Sequence, residues 1–383
     1  MVTNSQQLLA EARVQRITML QQLQALVEIE SPTEDKAAID RASALVASWL
    51  QPLDARVRWH RHRHFGDLFE ARFTPPKIKK GVQPVMLLGH LDTVWPLGTL
   101  DHMPFRVRAG RAFGPGVYDM KAGVVMAVTA LRLLLETNAL HTPVILLLNS
   151  EEEVGSPVSR AVTEKLASQC SAVYVMEPAQ GAQGAYKTAR KGVGDFRLHV
   201  QGVAAHSGVD FAKGHSAIVE LAGLIEKIAA FTDLKSGLTV NPGVITGGTR
   251  TNVIAAEASV EVDVRIARSR DAARVERLFR GLRVRDRHCK LTITGGMNRP
   301  PMERTPGTVA LFKRAQLLAA EMGLSLEESA TGGGSDGNFT SALGIPTLDG
   351  MGAVGEGAHA ANESIVLNQL AERTALLAAM LAR

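Results

Sequence analysis

The sequence predicts an α/β protein with a central, mostly parallel β-sheet flanked by helices, and a ferredoxin-like α+β domain inserted into it. Three short apolar runs, at 84–89, 144–148 and 172–176, do not alternate with polar residues, so both faces of each strand must be buried. Residues 122–136 have the length and apolar content of a crossover helix between the first two strands. After about residue 186 the pattern changes to alternating strands and amphipathic helices, which indicates a second domain.

The other elements of the α/β domain follow from apolar spacing and stop signals. Residues 8–28 have the spacing of one helix, which Ser31 and Pro32 terminate, and residues 34–49 have the spacing of a second helix. Late in the chain, the sequence predicts a helix at 309–322, a glycine-rich turn, and a closing helix at 363–381.

The inserted segment has the order βαββαβ, which is typical of a ferredoxin-like sandwich. We expect its strands and helices, in chain order, at 194–202, 215–230, 238–246, 257–266, 271–282 and 290–294. The sequence therefore predicts an inserted domain at 186–295, within an α/β domain formed by 1–185 and 296–383. Such an insertion would suit a lid or a dimerisation module.

Composition limits the classes of function. The 383 residues, 45% apolar and 21% charged, are ordinary for a globular protein of two domains. We expect neither a membrane helix, which needs about 18 apolar residues, nor a secretory signal. The two cysteines favour a reducing, cytoplasmic location. The net charge of +5 predicts a mild attraction for anionic substrates, and we expect no nucleic-acid binding.

Metal-competent side chains follow each of the three buried strands. His90 follows the first strand, residues 151–153 follow the second, and Glu177 follows the third. The carboxyl ends of parallel strands converge on one crevice, and Asp119 approaches it at the start of the crossover helix. So many carboxylates would repel one another unless a divalent cation compensated them. The alternative, a structural histidine and solvated glutamates, would have to hold independently at all three strand ends, so the sequence favours a metal site.

Several motifs carry a resemblance to a known family. Residues 89–94 (GHLDTV), 114–121 (GPGVYDMK), 151–156 (EEEVGS), 176–178 (MEP) and 357–360 (GAHA) stand in the family's order and spacing. The chain resembles the zinc-dependent aminoacylases, succinyl-diaminopimelate desuccinylases and bacterial glutamate carboxypeptidases over nearly its whole length. Within that family it is most similar to the folate-cleaving glutamate carboxypeptidase type.

The resemblance implies two zinc ions per subunit, with cobalt or manganese as substitutes. Asp119 would bridge the two ions. His90 and Glu177 would complete one site, and Glu153 and His359 the other. A hydroxide between the two metals would attack the amide carbonyl, which agrees with the general chemistry of two-metal hydrolases.

The resemblance also distinguishes catalytic residues from ligands. Glu152 would be the general base that takes the proton of the attacking water. Asp92 is expected to hydrogen-bond the His90 nitrogen that does not face the metal. The alternative is that Asp92 is a turn residue that caps the following loop. Glu151 stands where the family commonly has aspartate, and Met120 where relatives often have a second aspartate, next to a peptide bond that is often cis.

Further candidates lie in and after the inserted domain. By resemblance, His206 would reach the active site of a neighbouring subunit and stabilise the oxyanion. Asn252 and Arg265 would bind substrate, since a guanidinium suits a free α-carboxylate, although Arg265 would also suit a solvent-facing strand position. A glycine-rich substrate loop would include Gly333, Gly334 and Ser335.

The predicted function is hydrolysis of the amide bond to a C-terminal amino acid with a free carboxylate, with glutamate expected there. Folate-like, N-acyl-glutamate or peptide substrates would fit, and we expect a homodimer formed through the inserted domain. One alternative is an N-acyl-amino-acid deacylase or dipeptidase of other specificity. Another is a catalytically silent binding protein on the same fold, against which the intact ligand set and Glu152 argue.

Overall fold

The computed structural model describes residues 4–75, 78 and 81–382. The chain divides into two compact units. Unit 1 comprises Met1–Ala189, Arg304–Ala330 and Ser335–Arg383, and unit 2 comprises Arg190–Glu303 and Thr331–Gly334. Unit 2 extends beyond the predicted limit at residue 295 because the strand expected at 290–294 continues to Arg299. It also includes Thr331–Gly334, part of the glycine-rich turn, which was predicted to lie in the α/β domain.

Unit 1 contains a six-stranded mixed sheet that is mostly parallel, as predicted. From one edge to the other, its strands are Arg56–His60, Leu68–Phe73, Val144–Asn149, Val85–His90, Ala172–Val175 and Thr347–Leu348. The last four strands pair in parallel with one another. Leu68–Phe73 pairs antiparallel with both of its neighbours, Arg56–His60 and Val144–Asn149. The strand that ends in His90 therefore lies inside the parallel part of the sheet, with its neighbours ending beside it.

Helices and two smaller sheets complete this part of the fold. The helices are Ser5–Val14, Arg16–Val27, Lys36–Leu50, Ala122–Glu136, Ser159–Ala167, Pro306–Glu321, Gly337–Ala342 and Leu367–Ala382. The strands of the smaller sheets are Arg106–Arg108, Arg111–Phe113, Gly355–Glu356 and Ser364–Val366 in one, and Tyr186–Arg190 and Glu328–Thr331 in the other. The crossover helix has the predicted bounds. Gly123 lies in its first turn, where a Cβ would stand 2.1 Å from the Met176 carbonyl oxygen, so only glycine permits this approach.

Two helix predictions were wrong in detail. Residues 8–28 form two helices, because the Gln15 amide donates to both Glu11 and Ala12 and the chain turns there. The closing helix begins at Leu367 and not at residue 363, because Ser364–Val366 pairs as a strand with Arg111–Phe113. Glu363 therefore lies in a turn before a strand.

Unit 2 is the βαββαβ sandwich that the sequence predicts. Its antiparallel sheet has the order Thr239–Gly247, Glu257–Ile266, Gly192–Gln201 and Lys290–Arg299. The helices Ala217–Ala229 and Ala272–Arg280 supply its core together with the sheet. Stacking of Phe196 on Phe279, with ring centroids 3.8 Å apart, joins the second helix to the sheet.

No helix among the described residues is both long enough and apolar enough to cross a membrane.

Candidate metal centre

His90 ends the central strand with one ring nitrogen held and the other directed at carboxylates. Its Nδ1 lies 3.0 Å from the Asp92 carbonyl oxygen and 3.3 Å from Asp92 Oδ1. Its Nε2 lies 3.4 Å from Asp119 Oδ1 and 3.4 Å from Glu177 Oε1. A neutral His90 therefore carries its proton on Nδ1 and presents the Nε2 lone pair to the two carboxylates, as a metal ligand must.

A second group of ligand atoms shares Asp119 with the first. His359 Nε2 lies 3.2 Å from Glu153 Oε2 and 3.5 Å from Asp119 Oδ2. Asp119 thus faces His90 with one carboxylate oxygen and His359 with the other. We call His90–Asp119–Glu177 the first group and Asp119–Glu153–His359 the second group.

The spacing within both groups fits a common metal ion better than hydrogen bonds. Ligands of a tetrahedral ion stand about 3.3–3.5 Å apart when their bonds are about 2.0–2.2 Å long. Hydrogen bonds between N–H and oxygen are usually about 2.9–3.0 Å. Among the described residues, His90 Nε2, Asp119 Oδ1 and Glu153 Oε1 are buried and have no hydrogen-bond partner. Because such atoms are costly to bury without a partner, the residues present fit bound metal.

When metal is absent, the electrostatics of the two groups lower the pKa of Asp119 and raise those of both histidines, whereas burial raises the pKa of Glu153. Burial disfavours the charge of Asp119, but the adjacent His359 and His90 outweigh burial and lower its pKa. Burial also opposes protonation of His90, yet Asp119, Asp92 and Glu177 raise its pKa. Asp119 and Glu153 raise the pKa of the half-exposed His359 to about 10. Metal binding must therefore displace protons from these histidines.

Asp92 organises the segment that carries Glu152 and Glu153. Its Oδ1 accepts the Glu152 amide at 3.2 Å, and its Oδ2 accepts the Glu153 amide at 3.1 Å and the Thr33 hydroxyl at 2.8 Å. These bonds fix the start of the short 3₁₀ helix Glu152–Val154. A carboxylate oxygen of Glu152 lies within 4.8 Å of ligand atoms of His90 and Glu177. Asp92 thus contacts the histidine mainly through its backbone and supports two glutamates through its side chain.

The two departures from the family pattern occupy structural positions. The Glu151 carboxylate is fully buried and accepts the amides of Val158 and Ser159 at 3.1 and 2.5 Å, which caps the following helix. Met120 is buried, and its peptide bond with Asp119 is cis. Neither residue offers an atom to the groups described above.

Comparison with known proteins decides the family. A sequence profile of peptidase family M20/M25/M40 matches residues 86–383. The chain belongs to this family. It is 29% identical over 348 residues to carboxypeptidase G2 of Pseudomonas sp. (strain RS-16), covering 89% of this chain and 83% of that protein. It is 30% identical over 313 residues to succinyl-diaminopimelate desuccinylase of Acidovorax ebreus (strain TPSY), covering 76% and 78%.

The fold agrees with that assignment. Aminopeptidase PepT of Bacillus cereus ATCC 10987 superimposes with a TM-score of 0.80 at 23% identity, covering 96% of this chain and 98% of that structure. The protein is a metallopeptidase of the M20 family. In unit 1, ligand atoms of His90, Asp119 and Glu153, and those of His90, Glu152 and Glu177, lie close enough together to hold a metal ion.

Two residues that support this centre were missed by the sequence analysis. Glu363 is fully buried and accepts four N–H groups of the neighbouring loops. Lys121 is also buried, donates its Nζ to the Ile29 carbonyl at 2.9 Å, and has its pKa lowered to about 7 by burial. Burial raises the pKa of Glu363 against the effect of its backbone donors. The only sequence signal for Glu363 was its position four residues after His359 of the GAHA motif, which is weak.

In unit 2, the M20 peptidase brings His206 and Asn252 together. The Ser207 amide donates to the Asn252 carbonyl at 3.0 Å, and His206 forms a β-bridge with Val253. His206 Nδ1 accepts the amides of Gly208 and Val209 at 3.1 and 3.2 Å. The proton of a neutral His206 must therefore be on Nε2, which leaves that nitrogen as a donor.

Arg265 and the glycine-rich loop have internal partners. Asp263 accepts two bonds from Arg265 Nε, at 2.9 and 3.0 Å, and Arg265 Nη1 lies 3.5 Å from the Gly332 carbonyl oxygen. The carbonyls of Gly333 and Gly334 accept from Arg190 Nη1 at 3.2 and 2.9 Å.

Ser335 belongs to unit 1 and has structural bonds there. Its amide donates to Asn338 Oδ1 at 2.9 Å, and its hydroxyl donates to Asp349 at 2.6 Å. In this conformation the donors of Ser335 stabilise the turn that precedes the helix Gly337–Ala342.

Unit 2 holds a further cluster of histidines and carboxylate, at His215, Asp286 and His288. His215 Nδ1 lies 2.5 Å from Asp286 Oδ2, and His288 Nδ1 lies 3.0 Å from Asp286 Oδ1. The two imidazole rings stack with centroids 4.0 Å apart. The His288 amide also donates to Asp286, at 2.9 Å. These distances are those of hydrogen bonds.

Proposed function

We propose that this M20 peptidase binds two zinc ions, one in each group, and hydrolyses the amide bond to a C-terminal amino acid with a free carboxylate. Glutamate is the proposed C-terminal residue, in folate-like, N-acyl-glutamate or peptide substrates. The observation that carries the proposal is Asp119, which presents one oxygen to each group. Cobalt or manganese would serve as substitutes with similar ligand preferences.

When bound, the metal ions supply Lewis acidity, which polarises the scissile carbonyl and lowers the pKa of water. The protein contributes the proton transfers. Glu152 accepts the proton of the attacking water and later delivers it to the leaving amine. Asp92 supports this role because it fixes the Glu152 amide and holds His90 by its Nδ1.

Charge develops on the carbonyl oxygen as water attacks, and His206 is the proposed donor for it. The two amides that bind Nδ1 of His206 leave an N–H at Nε2. A neutral imidazole N–H of this kind stabilises an oxyanion without requiring a protonated ring. In the proposed dimer, the partner subunit supplies this histidine.

Arg265 is the proposed anchor of the substrate's α-carboxylate. Asp263 accepts from Arg265 Nε and also lies 2.7 Å from Nη2, and Nη1 lies 3.5 Å from the Gly332 carbonyl oxygen. The remaining N–H group on each of the two terminal nitrogens is the proposed donor to the carboxylate. Asn252 and the loop containing Gly333, Gly334 and Ser335 are the other proposed substrate contacts. Similarity to carboxypeptidase G2 supports a C-terminal amino acid as the leaving group.

A second candidate function is N-acyl-amino-acid deacylation, or dipeptide hydrolysis with another side-chain preference. Similarity to a succinyl-diaminopimelate desuccinylase favours this reading, because that enzyme's name describes removal of an acyl group from an amino acid. A binding protein without turnover is disfavoured because Glu152 stands beside the first group.

A substrate panel tests the proposal. Zinc-loaded protein is given N-benzoyl amino acids that differ only in the C-terminal residue, together with methotrexate and N-succinyl-diaminopimelate. We expect the glutamate substrates and methotrexate to have the highest kcat/KM. A preference for another residue supports the second candidate, and no cleavage of any member contradicts both.

We further propose that the chain forms a homodimer through unit 2. The edge strand Thr239–Gly247 exposes Val244 and Ile245, and the helix Ala217–Ala229 exposes Val219. Apolar side chains beside an unpaired strand edge are typical of a site where a second strand adds. Mixing His206→Ala subunits with Glu152→Ala subunits tests the dimer and His206 together. Restored activity in the mixture is expected, and none would contradict a shared site.

A further inference from the structure

Glu363 is a buried carboxylate whose bonds are all directed at the loops around the metal centre. Its Oε2 accepts Trp95 Nε1 at 2.8 Å and the Gly116 amide at 2.9 Å. Its Oε1 accepts the amides of Tyr118 and Asp119 at 2.9 and 3.1 Å. Among the described residues, no lysine or arginine forms an ion pair with it. Four N–H groups thus replace the water that this charge loses on burial.

These bonds define the backbone of the segment that carries Asp119. Gly116 has a φ of +70°, and a Cβ there would stand 2.5 Å from Thr93 Cγ2, so the turn requires glycine. Asp119 itself lies outside helical geometry, at φ −112° and ψ 96°. Because Asp119 must present a separate oxygen to each group, a small rotation of this segment would withdraw one oxygen. Glu363 prevents that rotation by binding the amide of Asp119 directly.

The same residue also fixes the turn that carries His359. The Glu363 amide donates to the Ala360 carbonyl at 2.9 Å, and the Ala360 amide donates to the Gly357 carbonyl at 2.9 Å. His359 lies within this turn at φ +62°. Glu363 therefore joins two members of the second group through its side chain and its backbone. By contrast, His90 and Glu177 of the first group end or follow strands of the central sheet.

We propose that Glu363 is a positioning residue that holds Asp119 and His359 in register, so that its loss weakens metal binding at the second group more than at the first. This inference rests on the proposed function for its two metal ions. Partners that orient ligands commonly change metal affinity about 10–100-fold when removed. Glu363 has no ligand role of its own, because it is fully buried and its oxygens are already bonded to N–H groups.

Zinc titration of Glu363→Gln against a chromophoric chelator tests the proposal. Both carboxylate oxygens accept two donors each, so either placement of the glutamine NH₂ opposes two N–H groups. We expect zinc binding at the second group to weaken about 10–100-fold. Zinc binding at the first group, which shares Asp119 but keeps His90 and Glu177 at the ends of strands of the central sheet, should weaken by a smaller factor. The His359→Ala variant identifies which step belongs to the second group. Equal weakening of both steps, or of neither, would overturn the proposal.

Two further variants separate positioning from general stability. Glu356→Gln removes an exposed glutamate that pairs with Arg111 in the same part of the chain, and it should leave both steps unchanged. Trp95→Phe removes one of the four donors, and we expect it to weaken zinc binding at the second group by a smaller factor than Glu363→Gln does, again by more than at the first group. If Glu363→Gln does not fold, Trp95→Phe decides the matter by the same criterion. The zinc titration needs no substrate, so its result does not depend on whether the protein cleaves the substrates of the panel.

Discussion

The M20 peptidase contains two clusters of histidine and carboxylate with similar composition and different spacing. In unit 1, the histidine nitrogens of the first and second groups stand 3.2–3.5 Å from the carboxylate oxygens. His90 Nε2, Asp119 Oδ1 and Glu153 Oε1 are buried without hydrogen-bond partners among the described residues. In unit 2, His215 and His288 approach Asp286 to 2.5 and 3.0 Å. The first spacing leaves room for a metal at the centre of each group, whereas the second satisfies each atom directly.

The comparison teaches that residue types alone do not identify a metal site. Both clusters could hold an ion by composition, but only the unit 1 atoms have the separation that shared coordination requires. In unit 2 the contacts tie the loop before the strand Lys290–Arg299 to the start of the helix Ala217–Ala229. We therefore expect the unit 1 cluster to serve chemistry and the unit 2 cluster to serve stability.

The largest expected effect comes from Glu152, the proposed general base beside the first group. Glu152→Gln should lower kcat by about 10²–10⁴-fold, because general base catalysis is lost. The variant should still contain two metal ions per chain, since the substituted side chain is not a proposed ligand. Steady-state kinetics and elemental analysis measure the two quantities. Unchanged kcat, or loss of metal together with activity, would reject Glu152 as the base.

The next effect contrasts one histidine from each cluster. His359→Ala should lower the metal content from two ions to one per chain after dialysis against a dilute chelator, since the second group loses a ligand. His288→Ala should retain two. Elemental analysis of both variants, prepared side by side, gives the answer. Loss of metal from His288→Ala would mean that the unit 2 cluster binds metal as well.

Thermal unfolding with and without zinc gives a smaller but independent contrast. Zinc at 100 times its Kd should stabilise the wild-type protein by about 2.7 kcal/mol per site. His288→Ala should show the same gain on adding zinc, and His359→Ala a smaller one. Differential scanning calorimetry measures these shifts. Equal gains in all three proteins would contradict zinc binding at the second group, because the loss of His359 would then not reduce the stabilisation by zinc.

The smallest effect concerns the pH dependence of the unit 2 cluster. The His288 amide, followed by the His215 side chain, lowers the pKa of Asp286 to about 2. Because this pKa is lowered in the folded state, the ionised carboxylate stabilises the fold at pH values above its unfolded pKa of about 3.9. That stabilisation is lost as the pH falls toward 2. Asp286→Asn should therefore be less stable than wild type at pH 5 to 7, with the difference shrinking below pH 4. Urea unfolding at several pH values measures it, and a constant difference would contradict the assignment.

Much of the centre could be predicted because local patterns and sheet topology were sufficient. The three buried strands have unbroken apolar runs, and parallel pairing places His90, Glu152 and Glu177 at one edge. The crossover helix had its predicted bounds for the same reason. His359 was expected from family resemblance alone, because a residue at φ +62° in a turn leaves no periodic signal.

Glu363 could not be predicted because its role depends on distant segments. The apolar spacing of the last helix predicts a start at residue 363, where glutamate is an ordinary first-turn residue. Its burial follows from the strand Ser364–Val366 pairing with Arg111–Phe113, about 250 residues earlier in the chain. The hydrogen bonds that the amides of Glu152 and Glu153 donate to Asp92 also join residues far apart in the chain. Sequence patterns reveal the buried faces of helices and strands by their periodicity. Hydrogen bonds between residues far apart in the chain leave no periodic pattern.

Anomalous diffraction from zinc-loaded crystals tests the central claim most directly. The account predicts two anomalous peaks per chain in unit 1, one in each group, with Asp119 contacting both, and no peak at His215, Asp286 and His288. A peak at the unit 2 cluster, or fewer than two in unit 1 at saturating zinc, would contradict it.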